Sequence, residues 1–290
     1  MVAPGMLQNP SVLSWLEGIE PAWTLLDQDS FLALRRPPSH ADGPIRFAAN
    51  LSAEEIERSA VARNARMVLR AAAEAQGLKT TATGNLARSV VADLCAQFTW
   101  PDFDKDEVFS VNKVINEPDF YPLFFVRHLL QAAKLARRRK GFLAATAAGR
   151  KSLVEPHVQA LQALLFQTTF WHMYLGYFGR GIHDGWPQAD AGVVLWSLSV
   201  AATDWQSPKV LSRLCTIPII GVLESQWDSG SLALQARILR PLVWFGLLEH
   251  REEAVEGSRF DRRHFYRKTP LFDRFLTFAV GLERDDAMRH

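Results

Sequence analysis

One order of parts occurs twice in this chain, and that recurrence restricts the possible folds more than any single motif. In the first occurrence, Tyr121 to Ala136 reads as an apolar helix. "ARRRKGFLAA" reads as two short strands turning at Lys140-Gly141, and Thr146 can cap the helix that follows. Upstream, Ser52-x-x-Glu55 is a capping box that starts a helix running to about Gln76, where Gly77 supplies a left-handed stop. "LKTTAT" suits a short strand and Asn85–Phe98 a second helix, before the charged, aromatic insertion "TWPDFDKDEVFSVNKVINEP". Helix, strand, helix, helix, strand, turn, strand is the order of a winged helix, a helix-turn-helix carrying a β-hairpin wing.

The second occurrence is "SLALQARILRPLVWFGLLEHREEAVEGSRFDRRHFYRKTPLFDRFLTF". It predicts a helix, a charged hairpin between His250 and Phe265, and a helix starting at Thr269-Pro270, where proline's missing amide costs nothing. Eleven positions separate Leu135 from Thr146 and 22 separate Leu247 from Thr269, so the second hairpin is longer. Pro241 lies inside the preceding helix and should disturb its bonding. The expected fold class is mainly α, with tandem winged-helix units joined by helices. Residues 1–50, containing "RRPPSHADGP", read as a loop-rich arm, 51–156 as the first unit, 157–186 as a connecting helix and loop, and 187–290 as the second unit. The connecting helix carries Leu161, Leu164, Leu165, Trp171, Leu175 and Phe178 along one apolar stripe, with His172 placed in that core stripe.

At 290 residues, 48% apolar and 22% charged, the chain has the composition of a globular protein long enough for two cores. Two cysteines are too few for a disulfide framework. "MVAPGMLQNPSVLSW" lacks the features of a signal peptide. The apolar run Ala191 to Thr203 falls short of the roughly 18 residues that span a bilayer. A cytoplasmic protein with no membrane partner is expected.

"TATGNLARSVVADL", "FVRHLLQAAKLARRRKGFLAATAAGRKSL" and "LQARILRPLVWFGLLEHRE…YRKTPLF" together resemble the helical C-terminal region of bacterial proteins related to an open reading frame of the Ri plasmid. The resemblance covers roughly residues 60 to 280. It implies the helical fold and brings no activity or catalytic residues with it.

Net charge is only +2, so attraction to nucleic acid has to come from a local patch. Between Phe120 and Val154 there are eight Lys and Arg and no acidic residue. On a helix, Arg127, Gln131 and Lys134 fall within a sector of about 60°. Arg137, Arg138, Arg139 and Lys140 are expected to extend that ridge onto the hairpin. These seven residues are the candidate nucleic-acid contacts, with Arg127 and Gln131 as base readers and the rest as phosphate contacts. The second hairpin opens with Glu249, Glu252, Glu253 and Glu256, which suits protein contact better than DNA.

Other constellations fall short. His157 and His172 share a helix face about 22 Å apart, too far for one ion. "HDGW" (183–186) lacks a nucleophile nearby in sequence. "DFDKDE" fails as a calcium loop because Glu107 and Lys113 occupy the required glycine and glutamate positions. "FGRGIHDG" lacks the lysine-serine ending of a phosphate loop. No catalytic, cofactor-binding or metal-binding residue is assigned, and no enzyme is expected. The sequence points to a DNA-associated protein, in transcriptional control or mobile-element biology, with duplex DNA as partner. The alternative is an adaptor that binds a protein partner or a second copy of itself.

Overall fold

The computed structural model describes residues 6–38, 43–74, 77–103, 115–178, 183–225, 227–258 and 261–283. It divides into a split unit, residues 1–47 with 174–290, and an inserted unit, residues 48–173. The split unit begins with α1 (Pro10–Leu16), α2 (Gln28–Leu34) and β1 (Ile45–Phe47). The inserted unit follows with α3 (Ala53–Glu57), α4 (Ala60–Glu74), β2 (Leu78–Lys79), α5 (Arg88–Gln97), α6 (Tyr121–Ala132), β3 (Ala136–Arg139), β4 (Phe142–Ala145), α7 (Ala147–Lys151) and α8 (His157–Gln167). The chain then completes the split unit with α9 (Ala191–Ala201), α10 (Pro208–Cys215), α11 (Ile220–Leu223), α12 (Ser229–Leu234), α13 (Arg240–Trp244), β5 (Leu248–Ala254), β6 (Arg262–Lys268), α14 (Pro270–Phe275) and β7 (Leu276–Phe278). The protein is mainly helical, and its sheets among the described residues are small and antiparallel.

In the inserted unit the capping box closes as expected, with Glu55 N donating to Ser52 Oγ at 3.1 Å and Ser52 N to Glu55 Oε2 at 2.7 Å. The long helix predicted from it is broken, because Ser59 Oγ accepts from Ala62 N and caps α4 afresh. Its expected end at Gln76 lies outside the described residues. Val61, Ala65, Val68 and Leu69 bury the inner face of α4, and the sheet runs in the order β2-β4-β3. The β3–β4 turn is made by Lys140 (φ 48) and Gly141 (φ 82). Two successive positive φ angles make the type I′ geometry that matches strand twist. Lys134 (φ 58) ends α6 in the left-handed conformation, so Ala136 starts a strand where the sequence reading had it in the helix.

Thr146 fastens this hairpin to its helix. Its hydroxyl is shared between the Lys134 and Leu135 carbonyls at 2.9 and 3.1 Å, its amide donates to Leu135 O at 2.9 Å, and its oxygen caps α7 by accepting from Gly149 N. The split unit repeats the clasp. Thr269 shares its hydroxyl between Gly246 O and Leu247 O at 2.8 and 3.2 Å, and its amide donates to Leu247 O at 2.9 Å. Gly246 (φ 73) stands in the role of Lys134. Gln206 exchanges both backbone hydrogen bonds with Tyr266, so a single-residue strand, β6 and β5 lie side by side in the pattern of β2, β4 and β3. The irregularity expected at Pro241 is a π turn over Gln235–Leu239, immediately before the proline.

Two expectations about the connecting segment are corrected. Residues 157–178 do not form one helix: α8 passes into a π turn at Thr168–His172, and Leu175–Phe178 is a 3-10 turn of the split unit. Leu161, Leu165 and Leu175 are buried, but Leu164 and His172 are exposed, so His172 is not a core histidine. Residues 1–47 are likewise no free arm, since β1 pairs with β7 from Ile45↔Phe278 to Phe47↔Leu276. Leu165→Ala should cost about 2–5 kcal/mol by cavity formation, while Leu164→Ala should stay within about 0.5 kcal/mol. Urea denaturation of the two variants checks this.

Candidate nucleic-acid interface

The helix expected to read bases is largely consumed by its own unit. Leu123, Phe125, Val126, Leu129 and Leu130 of α6 are buried. The insertion before it packs onto the same core, with Trp100 against Phe125 and Phe103 against Phe120. Arg127, the sole cation on α6, is buried as well. Its Nε donates to Glu117, whose side chain is wholly buried, and its Nη1 donates to Gln131 Oε1 at 2.8 Å. The other Glu117 oxygen accepts the Leu86 amide at 2.6 Å. Burial pushes the Glu117 carboxyl above its ordinary pKa, against the pull of the Leu86 amide and Arg127. His128 Nδ1 donates to Phe124 O at 2.8 Å, and burial lowers its pKa.

The expected pair of base readers therefore needs correction. Arg127 is committed to an internal ion pair, and Gln131 is half-buried with its carbonyl oxygen occupied. The partner that captures Arg127 sits ten residues upstream in the insertion, where helical periodicity gives no hint of it.

The wing is different. Lys134 and Arg137 to Lys140 are all exposed, and none has an ion-pair partner among the described residues. They do not share one side, as the sequence reading expected. Arg137 and Arg139 pair with Ala144 and Phe142 on the outer face of the sheet, whereas Arg138 pairs with the buried Leu143. Directly opposed residues share a face, so Arg138 points toward the helices. Its guanidinium lies over Gly84, in the space that a Cβ there would need. Lys79 of β2 also pairs with Phe142, which puts Lys79, Phe142 and Arg139 in one row across the outer face. Sequence reasoning missed Lys79, because only the β2-β4-β3 order brings it beside the wing.

The second hairpin pairs two of its arginines with its own glutamates. Arg267 pairs with Glu249 and Arg251 with Glu253, and both guanidinium groups lie 4.7 Å from the Trp205 ring. The fold also brings Ser229 Oγ within 2.7 Å of His183 Nε2, a pairing invisible in "HDGW". Asp184 accepts from Tyr174 instead, and among the described residues His183 Nδ1 has no carboxylate partner. This is a pair without the orienting acid of a hydrolytic triad. Most of the rejected calcium loop and residues 179–182 of "FGRGIHDG" lie outside the described residues.

Residues 57–158, all within the inserted unit, match the Y4jL N-terminal domain family. Over 121 residues the chain is 37% identical to the uncharacterized protein y4jL of Sinorhizobium fredii, covering 36% of this chain and 55% of that protein. The chain thus spans about half the length of the curated relative it matches. The matched domain is described as N-terminal, whereas the resemblance drawn from the sequence points to a C-terminal region. No solved structure matches.

Removing Arg127 would leave Glu117 buried without its cation. Arg127→Ala should cost about 3–5 kcal/mol, while Arg139→Ala on the exposed wing should stay within about 0.5 kcal/mol. Thermal and urea unfolding of both variants tests the assignment of Arg127 to the core.

Proposed function

We propose that the inserted unit is a winged helix that binds duplex DNA through its wing, gripping the phosphate backbone without reading bases. The observation that carries this reading is the outer sheet face bearing Lys79, Arg139 and Arg137 with Lys140 at the turn, exposed and without acidic partners among the described residues. The element order and the β2-β4-β3 sheet support the winged-helix assignment, and the repeated threonine clasp supports a second such unit in 174–290. Phosphate contacts position a protein on DNA but carry no sequence information. A backbone-gripping role in bacterial transcriptional control or mobile-element biology, in the cytoplasm, fits this geometry and the resemblance to a plasmid-borne reading frame. No helix among the described residues is long and apolar enough to cross a membrane.

The adaptor reading has one observation in its favour. Ile220 and Trp227 of the split unit are 71% and 81% exposed, unusual for side chains of that size. The two readings separate in a titration of random-sequence duplex by fluorescence anisotropy at several salt concentrations. Arg137→Ala/Arg139→Ala/Lys140→Ala should weaken binding equally across sequences and shallow the log affinity–log salt slope by about one unit per lost contact. If wild type fails to bind at low salt, or if the triple variant keeps the same slope, the adaptor reading stands.

A further inference from the structure

The β5–β6 hairpin holds a second chemistry that charge patterning does not account for. Its register pairs His250 with Tyr266 and Glu252 with His264, so His250, Glu252, His264 and Tyr266 share one face. The opposite face carries the self-neutralising Glu249, Arg251, Glu253 and Arg267. On the first face, His250 Nε2 and His264 Nδ1 are 3.0 Å apart. Glu252 Oε1 lies 3.4 Å from His264 Nδ1 and 4.0 Å from His250 Nε2.

We propose that these three side chains bind one divalent transition-metal ion, with zinc the best fit. Two imidazoles and a carboxylate are a borderline donor set of the kind zinc takes, leaving a fourth position open. A tetrahedral ion with bonds of about 2.0–2.1 Å holds its ligand atoms roughly 3.3 Å apart. The three observed separations bracket that spacing, so the ion is accommodated by side-chain adjustment alone. Two ring nitrogens facing each other at hydrogen-bond distance must share a proton, and the ion takes that proton's place while the proton leaves to solvent.

The site is also supported from beneath. His250 stacks on Tyr266 with ring centroids 4.7 Å apart, and its side chain is only 7% exposed. Tyr266 is fully buried, and its hydroxyl accepts from Gln235 Nε2 at 2.8 Å, which fixes the platform to the helix below. His264 and Glu252 are 28% and 45% exposed, so the open position faces solvent. An ion here would join the two strands of a hairpin that, as a two-stranded ribbon, is marginal by itself. The proposal is independent of the DNA reading, since it concerns another unit.

Titration of the full chain with zinc, against a chromophoric chelator, tests it. One zinc per chain is expected, with binding weakened at least about tenfold by His264→Ala and by Glu252→Gln and retained in His157→Ala. Cobalt substitution should give the visible absorption of a four-coordinate site. Circular dichroism of the variants distinguishes a lost ligand from a lost fold, and Glu252→Gln preserves the side-chain volume. Absence of one-to-one binding in wild type, or equal affinity in His264→Ala and wild type, overturns the proposal.

Discussion

The ion pair between Glu117 and Arg127 decides where the inserted unit exposes positive charge. Both side chains are buried, and Glu117 also takes the Leu86 amide, so one carboxylate ties the β2–α5 loop, the insertion and α6 together. A buried pair of this kind contributes little net stability over an apolar replacement, but breaking it is expensive. Its consequence here is geometric. With Arg127 turned inward, α6 presents the half-buried Phe124, His128 and Gln131 and no exposed cation. Exposed positive charge is therefore carried by the hairpin rather than by the helix.

The two hairpins then diverge from a shared plan. Each is held at its base by a threonine whose hydroxyl and amide reach the carbonyls just before the first strand. Each lies beside a short extended segment that joins two helices, β2 between α4 and α5 and Gln206 between α9 and α10. The shorter hairpin leaves its arginines open to solvent, while the longer one pairs Arg251 and Arg267 with glutamates and stacks both on Trp205. The same scaffold therefore offers an anion-attracting surface in one unit and, in the other, a neutral face backed by a His-Glu-His cluster.

Much of this architecture is written locally. The capping box at Ser52, the Lys140-Gly141 turn and the cap that Thr146 places on α7 each depend on neighbours within a few residues, so sequence spacing reveals them. The features that escaped are long-range. Arg127 looked available because helical angles say nothing of Glu117, and "RRRK" looked like one hand because strand alternation moves Arg138 to the other face. Lys79 and the pairing of Glu252 with His264 depend on register, which becomes visible only once the strands are aligned. The return of residues 1–47 to the C-terminal half rests on β1 meeting β7 across more than two hundred residues.

On the proposed reading the wing of the inserted unit meets duplex DNA and α6 does not. Amide and side-chain chemical shifts of the full chain, followed during titration with a random-sequence duplex, test it most directly. Perturbations concentrated at Lys79, Arg137, Arg139 and Lys140, with Phe124, His128 and Gln131 unmoved, are the predicted result. Shifts centred on α6, or no shifts at the wing at saturating duplex, would contradict it.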